Sequence, residues 1–338
     1  MIRRTLILTV TAAALALSAC GKPEEKAAAG GAPSELTFSI LSAENQASME
    51  PLWTPLLTDL SESIGVKVKP YFATNYTSLV EAMRFKQVHM GWFSASPALQ
   101  AVRRADAEVL GRVVDAGGDA TYKSVIIVRK DSGITLDKVL ACDKSLNFGL
   151  GDTQSTSGTL APLTYLFTPR NIEPGKCFKS VRSASHQANA FSVANGVLDV
   201  ATNNSVGMLF FARQSPELAK KVEVIWESPP LPESSIVVRR DLDPALKEKI
   251  RQFFLTYGTG TDEKGAKQRE VLKGLAYGGF KPADNSYLDP VREMEAGEAL
   301  AAAKRSGDQS RLAKAQAEFD KVRAEAAQRR AIEPAAAQ

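Results

Sequence analysis

Histidine and cysteine are the scarcest chemistry-bearing residues in this 338-residue chain, two and three in number. Neither His89 nor His186 has ligand spacing to a cysteine, which leaves a metal centre without its usual donor set, and nothing else calls for a cofactor. A basic surface is lacking too. Lysine and arginine total 42 against 38 acidic residues, a net charge of +4 that falls to +2 once Arg3 and Arg4 are removed with residues 1–19. That near-balance excludes nucleic acid as a partner, which would call for clustered basic residues. Long apolar runs are confined to Leu6–Leu17, too short to cross a bilayer and followed by no stop-transfer pattern.

What is present first settles the compartment. Arg3-Arg4, the apolar run, and Leu17-Ser-Ala-Cys20 make a positive region, a hydrophobic region and a small-residue cleavage site ending in cysteine. This is the pattern of a bacterial lipoprotein signal over residues 1–19, with Cys20 the lipid-carrying residue of a periplasmic protein held at the cell envelope. Gly21 leaves open which membrane takes the lipid. Residues 20–34, including Lys22–Pro33, lack apolar periodicity and read as a flexible tether. Of the other cysteines, Cys142 and Cys177 each precede an expected strand. In an oxidising compartment they can pair as a disulfide worth roughly 3–4 kcal/mol, the alternative being two buried thiols.

The centre of the chain is Leu146–Leu160, LNFGLGDTQSTSGTL. Leu146–Gly151 alternates as a buried strand does, and Thr159 onward reads as a helix. Between them, Asp152–Gly158 puts Ser155, Thr156 and Ser157 at a helix start, where unpaired N–H groups and the positive dipole end favour an anion. Gly158 is expected to let the backbone approach a ligand. The same residues also serve as ordinary helix caps. The motif is not a nucleotide P-loop, because the Gly-Lys-Ser/Thr ending is missing. Serine nucleophile chemistry gains little, since neither Ser155 nor Ser157 stands in a Gly-x-Ser-x-Gly elbow or has Lys three residues on.

From Glu35 onward short apolar strands alternate with helices, a rhythm that predicts a mostly parallel α/β sheet. Without leader and tail, the chain suits two lobes better than one core. The tail from Asp289 is Ala-rich, charged and broken at Ser306-Gly307-Asp308, with Leu312, Ala315, Phe319 and Val322 forming a narrow apolar stripe. It is either a helical hairpin lying on its own lobe or a homodimer contact.

Five segments, YFATNYTSLVEAMRF (71–85), TYKSVIIVRKDSG (121–133), GDTQSTSGTLAPLTYL (151–166), SHQANAFSVANGVLDVATNNS (185–205) and LPESSIVVRRDL (231–242), together resemble the periplasmic phosphonate-binding proteins of ATP-driven phosphonate, phosphite and related uptake systems. The likeness runs in order from about Glu35 to Phe280. It implies a two-lobed type II periplasmic-binding-protein fold that closes on ligand across a hinge of two strands, with 35–120 plus 236–284 as lobe 1, 121–235 as lobe 2 and 285–338 as a charged helical tail. It further implies a non-enzymatic receptor whose ligand-binding positions are Tyr76, Tyr122, Ser155, Thr156, Ser157 and His186, the histidine compensating a dianion when charged. The implied partners are a small phosphorus oxyanion, an ABC permease and its ATPase. A sensory protein feeding a membrane kinase, a hydrolase using Ser155 or Ser157 with His186, and a purely structural envelope lipoprotein are the rival functions. His89 is expected to be structural, with Trp92 and Phe93 packed near the cleft. Relatives of this kind that bind aminoethylphosphonate carry acids at places held here by Val206 and Ser234; Glu233 is adjacent and could substitute if the backbone shifts, though strand alternation would turn it away. On that ground the expected ligand lacks an amine, because an uncompensated ammonium is costly to bury.

Overall fold

The computed structural model describes residues 33–332, so the leader, the lipidation expected at Cys20 and the tether up to Ala32 lie outside the described residues. Apolar side chains alternate into the core from β1 (Glu35–Ile40), where Leu36, Phe38 and Ile40 are fully buried. The next helix, Gln46–Ile64, starts where the Asn45 side chain accepts the Ser48 N–H at 2.9 Å, and it ends at Gly65 in the left-handed region. Strands β2 (Lys67–Phe72), β3 (Met90–Phe93) and β4 (Ala107–Val114) follow, separated by helices Tyr76–Arg84 and Ala95–Arg104. The chain then crosses through β5 (Thr121–Tyr122). A second sheet is made of β6 (Ser124–Arg129), β7 (Asn147–Leu150), β8 (Ser180–Ser183), β9 (Val200–Asn204) and β10 (Val222–Glu227). It returns through β11 (Leu231–Pro232) and completes the first sheet with β12 (Ser235–Arg239) and β13 (Gly279–Pro282).

The two sheets have the orders β13-β4-β12-β3-β1-β2 and β10-β6-β9-β7-β8, joined by the two-stranded ladder β5-β11 in which Tyr122 faces Leu231. A mostly parallel sheet is not what forms. In the first sheet only β1–β2 and β1–β3 are parallel, and in the second only β7–β8 and β7–β9. The reason is the double crossover. Strand β12, arriving from the second sheet, inserts antiparallel between β3 and β4, and β6, entering from the first, pairs antiparallel with β9 and β10.

One core lies around Phe38, Trp53, Met83 and Phe254 of the first sheet. The second sheet is covered on both faces, by Phe148, Phe167 and Phe178 on one and by Ile127, Val193 and Phe211 on the other. Cys142 and Cys177 are joined as a disulfide beside the phenylalanine cluster. A small cluster of Tyr122, Ala161, Leu231 and Met294 sits at the crossing strands.

The tail folds as two helices, Asp289–Ser306 and Gln309–Ile332, reversing at Gly307 (φ 71°). They pack on each other, with Phe319 against Gly297 and with Val322 and Ala326 buried. Leu312, Ala315 and Phe319 are half-buried. The stripe is thus covered in part within the chain, which favours the hairpin reading. Glu295 pairs with Arg103 at 2.5 Å, while Glu298 accepts from Thr168 at 2.9 Å, so the first tail helix bonds to both halves. No helix among the described residues is long and apolar enough to cross a membrane.

Candidate ligand site

The hydroxyl loop forms where β7 gives way to a helix. Ser155 caps that helix, its Oγ accepting the Gly158 N–H at 2.9 Å, and its own N–H is held by the Asp152 carbonyl at 2.8 Å. The helix begins at Thr156, earlier than the apolar pattern predicts, and its opening turn is wide: the Leu160 N–H reaches back five residues to the Ser155 carbonyl at 3.1 Å. Among the described residues the Thr156 and Ser157 N–H groups have no partner. Gly158 is needed for a reason other than ligand approach. A Cβ there would stand 2.7 Å from the Gly151 Cα and 3.1 Å from His186 Cε1, so the glycine lets the helix start lie against the end of β7.

His186 opens the helix His186–Ala194 and brings its Nε2 to 3.4 Å from Ser155 Oγ and 3.3 Å from Ser157 Oγ. The end of β9 supports this arrangement. Thr202 donates to the Gly158 carbonyl at 2.7 Å, Asn203 to the His186 carbonyl at 2.9 Å, and Asn204 to Ser157 Oγ at 3.3 Å. Asn204 also lines the cavity, a role that sequence reading missed although the segment itself stood out. Tyr76 comes from the first half, at the start of its helix, with its N–H on Asp152 at 3.2 Å. Tyr122 comes from the crossing strands. Thr156 is placed differently from its neighbours: its Oγ1 accepts the Ser96 N–H at 2.8 Å and approaches Ser94 Oγ at 3.4 Å, joining the halves, and it does not line the cavity.

Tyr76, Tyr122, Ser155, Ser157 and His186 thus converge on one cavity of about 40 Å³ between the two sheets. A water molecule needs roughly 10–15 Å³ on such a measure, so the space suits a few non-hydrogen groups. Trp92, as expected near the cleft, forms part of the wall with Met49, Phe210 and Tyr277, whereas Phe93 is wholly in the core. His89 lies elsewhere, its Nδ1 accepting the Thr37 N–H at 3.1 Å within the first sheet.

Electrostatically the polar end is a set of neutral donors. Burial pushes the Tyr76 and Tyr122 phenols up, so both keep their protons. Burial also pushes His186 down to about 4, so the expected imidazolium is not what this environment favours at neutral pH. Its Nδ1 is buried without a partner among the described residues.

The expectation that no acid faces the ligand's substituent is corrected. Val206 and Ser234 do line the cavity, but so does Glu233. Residues 233 and 234 lie between β11 and β12, outside either strand, so the alternation that would turn Glu233 away does not operate. Its carboxyl accepts the Ser234 N–H at 2.6 Å and is pushed up by burial. A second acid, Glu44, lines the same cavity from the turn after β1. It was missed because an acid just ahead of the Asn45 cap reads as ordinary turn chemistry.

Comparison with known proteins follows the same geometry. A family model described as the periplasmic phosphonate substrate-binding protein of ABC transporters matches residues 38–288. The chain is 40% identical over 260 residues to the phosphonates-binding periplasmic protein of Escherichia coli K12, covering 77% of this chain and 75% of that one. It superposes with TM-score 0.83 and 35% identity on a binding protein component of an ABC phosphonate transporter from Pseudomonas aeruginosa, covering 88% of this chain and 99% of the other. A Prochlorococcus marinus protein solved with methylphosphonate shares the fold at TM-score 0.68 and 22% identity, over 77% and 97% of the two chains. Two sheets joined by a double crossover, with donors converging between them, are therefore a two-lobed type II arrangement, and the chain belongs to the periplasmic phosphonate-binding family of ABC transporter substrate-binding proteins.

Proposed function

We propose that this protein is the high-affinity, lipid-anchored receptor of a periplasmic uptake system, capturing a small phosphonate between its lobes and delivering it to an ABC permease driven by its ATPase. One observation carries the reading: neutral donors from both lobes and from the crossing strands meet in a single enclosed cavity at a helix start. In this reading the phosphonate oxygens lie against the Ser155 and Ser157 hydroxyls and the N–H groups of Thr156 and Ser157. Tyr76, Tyr122 and His186 close over them, and Thr156 acts as a latch between the lobes. Hydrogen bonds to charged groups contribute roughly 1.5–3 kcal/mol each, and micromolar affinity needs about 8 kcal/mol, so four or five such bonds suffice after ordering costs. The expectation of a ligand without an amine keeps one ground, Val206 and Ser234 in place of acids, and loses the other, since Glu233 also lines the cavity. The hydrolase reading is disfavoured by His186, whose Nδ1, without a partner among the described residues, leaves the ring lacking the orienting group a Ser–His nucleophile uses.

A thermal-shift screen over phosphite, phosphate, sulfate, methylphosphonate and aminoethylphosphonate tests the function. The expected result is a shift of several degrees with at least one phosphonate and none with sulfate. A flat response to every phosphorus acid would end this reading.

A further inference from the structure

Two carboxyls face a cavity suited to an anion, and one of them has no hydrogen bond or ion pair among the described residues. Glu233 keeps the hydrogen bond from Ser234. Glu44 is only 5% exposed and lines the cavity, and burial alone, with no hydrogen bond or ion pair among the described residues, governs its carboxyl. A carboxylate so placed bears a desolvation cost that nothing among the described residues offsets. It has two remedies: a proton, or a positively charged group on the ligand.

The position of Glu44 ties that choice to closure. The next residue, Asn45, bonds the lobes together, Gln187 Oε1 accepting from its N–H at 3.0 Å and from its Nδ2 at 2.7 Å. Forming this seam shuts water away from the neighbouring carboxyl. The other titratable groups around the cavity are Tyr76, Tyr122 and Tyr277, His186 and Glu233, with Asp152 behind Tyr76. The phenols are neutral and burial favours neutral imidazole, so none brings a positive charge to Glu44.

We infer that Glu44 is the residue that reads the substituent of the bound phosphonate, holding a proton over a substituent without charge and standing ionised against one that carries a cation. The inference rests on the phosphonate reading above and names, within it, what sets ligand preference. Its sign follows from linkage. Burial in the closed protein pushes Glu44 from 4.5 up to about 8. Between those values a solvated Glu44 in the open protein is ionised, so closing over an uncharged substituent takes up a proton and weakens as pH rises. With an ammonium in place no proton is needed.

The test is calorimetry on the full-length protein, wild type, Glu44→Gln and Glu233→Gln, with methylphosphonate and 2-aminoethylphosphonate in buffers of different ionisation enthalpy. At pH 6.5 the wild type should take up close to one more proton per methylphosphonate than Glu44→Gln. Its affinity relative to that variant should fall about tenfold per pH unit between pH 5.5 and 7.5. The ligand's own ionisation is common to both proteins and cancels. With aminoethylphosphonate the extra proton should vanish, and Glu44→Gln should bind about tenfold more weakly or worse. Even without a folded variant, the wild type should take up close to one proton more with methylphosphonate than with aminoethylphosphonate, after each ligand's own titration is subtracted. Equal proton counts for the two ligands, or a change confined to Glu233→Gln, would overturn the inference and leave the phosphonate reading standing. Binding of neither ligand would remove both.

Discussion

Ser157 and Thr156 are chain neighbours with different work. The Ser157 hydroxyl meets His186 and Asn204 inside the cavity, while the Thr156 hydroxyl accepts the Ser96 N–H across the seam. Ser157→Ala should therefore weaken phosphonate binding about 10- to 100-fold, the loss of one hydrogen bond to a charged group, with little change in thermal stability. Thr156→Val should weaken it less, since it removes a latch and no ligand donor. Titration calorimetry on both variants checks the order, and the reverse order would place the ligand oxygens nearer Thr156. Three adjacent hydroxyls were legible as a cluster. Which of them turns inward was not, because the wide first turn sets their directions.

The element that holds these side chains is the β7-to-helix junction, and its tightness depends on two facing glycines. The Gly151 N–H donates to the Gly158 carbonyl at 2.8 Å, and Thr202 donates to the same carbonyl. Gly158→Ala would force a methyl onto the Gly151 backbone, which no side-chain rotation relieves. The expected cost is about 1–3 kcal/mol in chemical denaturation, together with weaker phosphonate binding as the Ser155 cap shifts. A variant that matched the wild type in both would show that the junction has slack. Strand β12 belongs to the same scale. Its continuous apolar run reads clearly in Ser235–Arg239, every residue of which is buried, but its antiparallel direction comes from where the chain has been, not from the residues in it.

For the whole molecule, every polar group that faces the cavity is less than a tenth exposed, so a ligand can enter only when the lobes part. The seam to be broken includes the Asn45–Gln187, Ser96–Thr156 and Tyr76–Asp152 bonds, Ser48 against Gln187 and Gln214, and Arg213 donating to the Lys273 and Gly274 carbonyls, and the crossing strands supply the pivot. Solution X-ray scattering should accordingly show a smaller radius of gyration with saturating methylphosphonate than without it, the change a permease could read as the loaded state. An identical radius at proven saturation would mean that capture does not depend on closure. The first tail helix bonds to both lobes through Glu295 and Glu298 and packs Met294 at the crossing strands. Opening must strain or carry that helix.

The sequence by itself determined the alternation of strands and helices, the hydroxyl cluster at a helix start and the break in the tail. Each is written in neighbouring residues and in period-two or period-3.6 patterns that act locally. Only the tertiary structure decided that Gly158 faces backbone and that the tail stripe is partly covered by its own partner helix. It alone brought Glu44 and Glu233, distant in the chain, into one cavity. Those outcomes depend on which surfaces the double crossover presses together, and a side chain in a turn has no periodicity to announce the direction it takes.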